Sequence, residues 1–282
     1  HTAMNRTYGE SFITYDPRYQ TLEIHESYTR QKDGNIVKTP DNAFVEVLPA
    51  AAANAPAFNA LREMVVVHTG LELGATVYLD YSITSKPGYL PEINVCRQLE
   101  QSSPVKEYEI SITVPQGQRL EYALDNLKSK PLVTEKEGMK QVSWVLKNLP
   151  ALSREPQVSV IGGELPLLTA TTEQKPMAFL SAQWEREADA RLRTLAGKLT
   201  AGAKSDEEKV KALHSYVIDN LYYSPLPLSE TAYRIRPTAE VLRSAYATEA
   251  EKANLLAALL RAAGLKAEIG AVCVPSANTA SL

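Results

Sequence analysis

The chain changes its hydrophobic period once, and that change constrains its folding more than any other feature. Before about residue 165 the apolar residues tend to recur at every second position, as in half-buried strands. Thr21-Leu-Glu-Ile-His-Glu-Ser-Tyr28 alternates in this way. Met64–His68, Ala75–Ile83, Tyr108–Val114 and Lys140–Leu146 are β-branched or aromatic runs of strand length. Turn signals separate them at Asp33-Gly34, Gly70 with Gly74, Pro87-Gly88, Pro115 to Gly117 and Glu137-Gly138. Ala50–Ala53 and Pro56 mark a loop or short helix between strands. Many short strands with regular turns predict an antiparallel, sandwich-like domain.

From residue 178 the period becomes that of a helix. Trp184, Ala188, Leu192, Leu195 and Leu199 follow one another at steps of three and four, one apolar face of a helix spanning 178–199. Ser205-Asp-Glu-Glu208 is a capping box, with carboxylates where the helix dipole favours them, and Val210, Leu213, Val217 and Leu221 continue behind it. Pro237 suits the first turn of a short helix carrying Val241 and Leu242. Thr248-Glu-Ala-Glu251 is a second capping box, opening a helix that Gly264 stops. Lys266–Val274 then reads as a strand. The fold class expected is α+β in two domains: a β-rich domain over 1–165, a connector over 166–177, and a helical part over 178–282. Trp184, Leu195, Leu213, Val217, Leu256, Leu259 and Leu260 are expected to share one core, and Leu256→Ala is the truncation that tests it.

Composition narrows the function. With 282 residues, 44% of them hydrophobic, the chain can bury a core without metals or disulfides. A formal net charge of −3 and no concentration of Lys or Arg argue against nucleic acid as a partner. No apolar run approaches the ~18–20 residues that cross a bilayer. The four histidines (His1, His25, His68, His214) are scattered singly, with no CxxC or HExxH, so neither a metal site nor a cofactor is expected. Cys96 and Cys273 lie far apart; one disulfide between them is possible, but nothing in their spacing demands it. The opening His-Thr-Ala-Met-Asn lacks the layout of a signal peptide, and Ser276–Leu282 closes no element, so the chain reads as part of a longer protein.

Several pieces of the helical part, in order, resemble the front half of the transglutaminase-like (papain-related) fold. Asp206–Val217 with Leu221-Tyr-Tyr223 is similar to the family's first core helix and its aromatic exit. Arg236–Leu242 resembles the short helix before the active-site turn, and Lys252–Gly264 resembles the nucleophile helix. Asp33-Gly34, Ala43-Phe44 and Leu61–Met64 resemble pieces of the β domain of unknown function, DUF3857, that often precedes such domains in Bacteroidetes envelope proteins. The resemblance implies a periplasmic or cell-envelope location, and a protein, peptide or glycan of the envelope as partner.

It also implies a chemistry. In active members a cysteine at a helix N-terminus, its thiolate favoured by the dipole and a neighbouring histidine, attacks an amide, and the histidine shuttles the proton. Carried onto this chain, the cysteine position falls on Glu249. A carboxylate suits a helix N-terminus but is a poor nucleophile for acyl transfer. Thr248 is a candidate hydroxyl nucleophile, although Thr before Glu251 reads better as an N-cap. Cys273 falls on an expected buried strand, where a thiol packs and stays inert. Cys96 has no histidine nearby in sequence, and His214 precedes the nucleophile position, whereas the family's catalytic histidine follows it. Tyr222, Tyr223 and Tyr233 could line a groove, but packing is the simpler expectation. The leading reading is a non-catalytic binding or scaffold module. The alternatives are a cysteine-dependent hydrolase whose residues lie partly outside this chain, and a β domain that binds glycan or protein by itself.

Overall fold

The computed structural model describes residues 8–90, 93–99, 101, 103–151, 166–172 and 176–270. The strands in the first ninety residues are β1 (Glu10–Tyr15), β2 (Gln20–Arg30), β3 (Ile36–Lys38), β4 (Phe44–Val47), β5 (Arg62–Val67) and β6 (Thr76–Ser85). There follow β7 (Asn94–Gln98), β8 (Val105–Pro115), β9 (Leu120–Asp125), β10 (Leu132–Lys136), β11 (Met139–Leu149) and β12 (Leu167–Thr172). The helical part comprises α1 (Pro176–Ser181), α2 (Ala190–Thr200), α3 (Asp206–Asp219), β13 (Tyr222–Tyr223), α4 (Thr238–Ser244), β14 (Tyr246–Ala247) and α5 (Glu249–Ala262). The fold is α+β, β-rich first and helical afterwards.

By packing, the described residues form two compact units. One joins the residues up to Leu90 with Leu180–Gly270, and the other runs between them to Phe179. The second unit holds two three-stranded antiparallel sheets, ordered β10-β11-β8 and β7-β12-β9. Their inward residues share one core in which Leu99, Val114, Val142, Trp144 and Leu168 are buried, with Tyr122 edge-on to Trp144 at 5.5 Å. This is a small sandwich. The turn from β10 to β11 is the two-residue Glu137-Gly138, both with positive φ (54° and 76°), the hairpin geometry that matches strand twist.

Residues 167–172, within the stretch read as a connector over 166–177, form the central strand of a sheet. Leu-Leu-Thr-Ala-Thr-Thr alternates half-buried with buried, so Leu168, Ala170 and Thr172 point inward. The prolines and glycines before it hid that period in sequence. Cys96 lies on β7 opposite Thr169 and is disulfide-bonded; Cys273 lies outside the described residues.

The first unit begins with two more antiparallel sheets, β1-β5-β4 and β3-β2-β6. Tyr15 of β1 donates its hydroxyl proton to the Glu46 carboxylate, and burial with that acceptor pushes the phenol up to about 12. The stretch between β4 and β5 makes two short 3-10 turns, Ala50–Ala52 and Pro56–Phe58. Behind them α2, α3, α4 and α5 enclose a core of Leu192, Ala196, Leu213, Val217, Val241, Leu255 and Leu259.

Three readings of the helical part are corrected. The helix over 178–199 is two, α1 and α2, separated at 182–189, where Asp189 caps α2 by accepting from the Leu192 amide. Trp184 lies in that break, half-buried and outside the helical core. Leu195, Leu256 and Leu260 do pack against the helical core, partly buried, while Leu255 is fully enclosed. Residues 265–270 are irregular backbone, and 271–274 of the expected strand lie outside the described residues. The stop at Gly264 (φ 84°) holds: the Leu265 amide donates to Leu260 O and the Gly264 amide to Arg261 O, closing a Schellman motif. Among the described residues no helix is long and apolar enough to cross a membrane.

Candidate functional site

The site is built around the first turn of α5. Thr248 adopts extended backbone (φ −72°, ψ 169°), and its Oγ1 accepts from the Glu251 amide at 3.4 Å. Glu251 reciprocates: its Oε2 accepts from the Thr248 amide at 2.9 Å, completing the capping box. Glu251 is only 1% exposed, and its carboxylate also takes three bonds from Arg236. The Arg236 amide and Nε donate to Oε1 at 3.0 and 2.8 Å, and Nη2 donates to Oε2 at 2.8 Å. The remaining donors of Arg236 reach Ser244 Oγ and Tyr246 O, and its guanidinium lies 4.3 Å over the Tyr246 ring and 5.4 Å from that of Phe58. Burial works against the guanidinium's charge, but the hydrogen bonds and charge of Glu251 outweigh it and hold Arg236 above its ordinary range.

The backbone next to this clamp is fixed from both sides. Ala245 takes the left-handed conformation (φ 59°) at the end of α4 and turns the chain into β14. Strand β14 pairs in parallel with β13, Tyr222 opposite Tyr246 and Tyr223 opposite Ala247. The aromatic exit of α3 is thereby set beside the turn that opens α5. Residues 51–58 complete the surroundings. The Ala57 amide donates to the Tyr246 hydroxyl at 2.7 Å, Asn54 Nδ2 to the Tyr222 hydroxyl at 3.0 Å, and Ser224 Oγ to Ala51 O at 3.2 Å. Leu226 packs with Ala52 and Leu61.

Glu249 is the first residue of α5 and is exposed, at the positive end of the helix. Thr248 is 97% enclosed, and its hydroxyl is engaged in the cap. Lys252, one turn on, donates to Leu221 O at 2.8 Å and lies 5.8 Å from the Tyr223 ring; burial lowers its pKa. Tyr222 and Tyr223 are about half exposed, which corrects the expectation that they pack internally: the ladder they form is two residues long and carries no further layer. Tyr233 is half-buried, with its backbone oxygen held by Gln183 Nε2. His214 is exposed on α3, whose buried face is Leu213 and Val217. The structure thus brings Thr248, Glu249, Tyr222 and Tyr223 into one neighbourhood. Beside Glu251, its other charged members are Arg236 and Lys252, which the sequence offered only as parts of helical pieces. A buried His68, one residue past the end of β5, bonds Ser11 Oγ of β1 at 2.9 Å elsewhere, and its Nδ1 has no hydrogen-bond partner among the described residues. No trio of His, Cys, Asp or Glu among the described residues is placed to hold a metal.

The loop leading to Arg236 carries Glu230, one member of a pH-sensitive pair. Burial raises the pKa of Glu230, and the charge of Glu63 on β5 raises it further; burial also raises Glu63. A carboxyl whose pKa is higher folded than unfolded destabilises the fold above that pKa, and the penalty disappears as pH falls through it. Glu230→Gln is therefore expected to stabilise the protein at pH near 7.5, with the gain shrinking towards pH 5. Urea midpoints at the two pH values check this, and an equal gain at both would show that the charge of Glu230 is not the cause.

Residues 1–153 match the family described as a domain of unknown function with a solved structure, DUF3857, and residues 193–278 match the transglutaminase-like superfamily. The crystal structure of a protein described as a "putative protease" from Parabacteroides distasonis ATCC 8503 matches with a TM-score of 0.86 and 49% sequence identity. That match covers 94% of this chain and 53% of the other, so this chain spans about half the length of that relative. No curated protein is similar enough in sequence to count as a relative. The chain belongs to the DUF3857 family and carries a transglutaminase-like core behind its β-rich region.

Proposed function

We propose that this chain is a non-catalytic transglutaminase-like module of the cell envelope, acting in the periplasm as a binding or scaffold element for a protein, peptide or glycan. One observation carries the reading. The helical frame is intact, down to a doubly bonded capping box, while residue 249 at the head of α5 is a glutamate. A carboxylate there is stabilised by the helix N-terminus. It lacks the nucleophilicity of a thiolate and cannot form the thioester through which cysteine enzymes cleave amides. The second reading, a cysteine-dependent hydrolase with residues partly outside these 282, draws on the relative described as a "putative protease".

The two readings separate in one experiment on the full-length protein. Hydrolysis of a generic amide substrate is measured before and after alkylation with iodoacetamide. The non-catalytic reading expects no turnover in either case; turnover that alkylation abolishes would establish the hydrolase. A companion variant tests the placement of residue 249. In Glu249→Cys the new thiol is expected to titrate below the free value of about 8.5, because the dipole favours the thiolate. The pH dependence of its alkylation reads this directly. Titration at or above that value would mean that residue 249 does not feel the helix end.

A further inference from the structure

A groove of about 580 Å³ lies among α2, α3 and α4. Leu195, Tyr216 and Leu242 line it, all partly buried and packed against the helical core. Three cations, Arg191 and Lys198 on α2 and Arg243 on α4, also line it, and no lining residue is acidic. The neighbouring basic residues of α3 are compensated: Lys209 pairs with Asp206 at 2.8 Å and Lys211 with Glu207 at 2.7 Å. Among the described residues Arg191, Lys198 and Arg243 have no ion-pair partner, in a chain whose net charge is −3. A groove of similar size on the β2 sheet sets Lys38 against Glu26 and Asp80 and so favours no one sign of ligand.

We propose that the α2–α3–α4 groove docks an acidic peptide segment of a partner protein, apolar residues on its floor and carboxylates against the three cations. Charge complementarity selects the sign, and the apolar floor asks for more than a free anion. Arg191 and Lys198 are seven residues apart on one helix, about 10 Å along its axis. Carboxylates two turns apart on a docked helix have the same spacing. The cations stand on two different helices around the apolar floor, an arrangement that a docked helix can match residue by residue. The proposal goes beyond the reading of residue 249 and stands whether or not the protein turns over an amide.

The probe is a fluorescein-labelled peptide with leucines at helical spacing flanked by glutamates, compared with its lysine counterpart by fluorescence anisotropy on the full chain. The acidic peptide is expected to bind, more weakly as salt rises, and the lysine peptide not to bind. Arg191→Glu/Lys198→Glu should weaken binding about tenfold or more, because two attractions become repulsions. Arg243→Glu, on a different helix, should weaken it in the same direction. Lys128→Glu/Lys130→Glu, equal in charge change but in an exposed loop elsewhere, should leave binding unchanged. Circular dichroism verifies that each variant is folded. No binding to the unaltered chain, or equal weakening by the two double variants, would overturn the proposal. So would sedimentation with phosphatidylglycerol vesicles, lost in Arg191→Glu/Lys198→Glu, without peptide binding; that result would assign the cations to a membrane surface.

Discussion

Replacing Glu251 by Ala is expected to cost the fold about 3–5 kcal/mol, the range for removing one partner of a buried ion pair. The size follows from what is left behind. Arg236, its side chain 11% exposed, would keep its charge with no carboxylate beside it. The Thr248 and Arg236 amides would lose their acceptor as well, and the first turn of α5 half its cap. Glu251→Gln should cost less, since an amide oxygen can still accept from Thr248. Arg236→Met combined with Glu251→Ala should recover part of the loss by removing the stranded charge. Denaturant midpoints at unchanged slope measure all three. A loss under about 1 kcal/mol for Glu251→Ala would mean that water reaches Arg236, and that something else fixes the head of α5.

The clamp illustrates which parts of the site could be read in sequence. Thr248 and Glu251 are three residues apart, so their reciprocal bonds belong to a local motif, and the capping box was legible. Arg236 lies fifteen residues before Glu251 and reaches it because Ala245, not a glycine, takes the left-handed turn. No local pattern announces that turn. The approach of residues 51–58 to Tyr222 and Tyr246 spans 168 to 189 positions and depends on tertiary packing alone.

Strands divide in the same way. The five runs read as strands, one from its alternation and four from β-branched and aromatic residues, became β2, β5, β6, β8 and β11, the long or central strands of their sheets. Partners such as β3 (Ile-Val-Lys) and β4 (Phe-Val-Glu-Val) are too short to show a period, and β10 is exposed along its whole length, its register coming from pairing with β11. Strand β12 did alternate, but its flanking prolines and glycines read as a linker. The break between α1 and α2 escaped for a related reason. Trp184 falls in phase with Ala188 and Leu192, yet the backbone of Glu185 is taken by Asn254 Oδ1 and Arg261 Nη1, bonds that an α-helix through 182–189 would forgo. The Glu185 side chain in turn accepts from the Thr238 amide at the start of α4. A segment with the right spacing for a helix is thus used as a strap across α4 and α5.

Truncating Leu255 to Ala should destabilise the protein by about 2–5 kcal/mol, and Leu256→Ala by distinctly less. The contrast tests the phase of α5. Leu255, Leu256, Leu259 and Leu260 offer two overlapping stripes, 255 with 259 and 256 with 260, about 100° apart around the helix. Hydrophobicity alone does not choose between them. The choice falls to polar residues on the same helix. Glu251 must face Arg236, and Asn254, also 1% exposed, must face the Glu185 amide. Residues 251, 254, 255, 258 and 259 then share the inner face, leaving Leu255 and Leu259 at 0% exposure and Leu256 and Leu260 at its margin. Full enclosure leaves the cavity of a Leu255 truncation no solvent to open into, whereas the margin can relax. Unfolding midpoints of the two single variants, measured under one condition, give the comparison. Equal losses, or a larger one for Leu256→Ala, would mean that α5 is rotated from this phase, and the Arg236–Glu251 clamp would have to be abandoned with it.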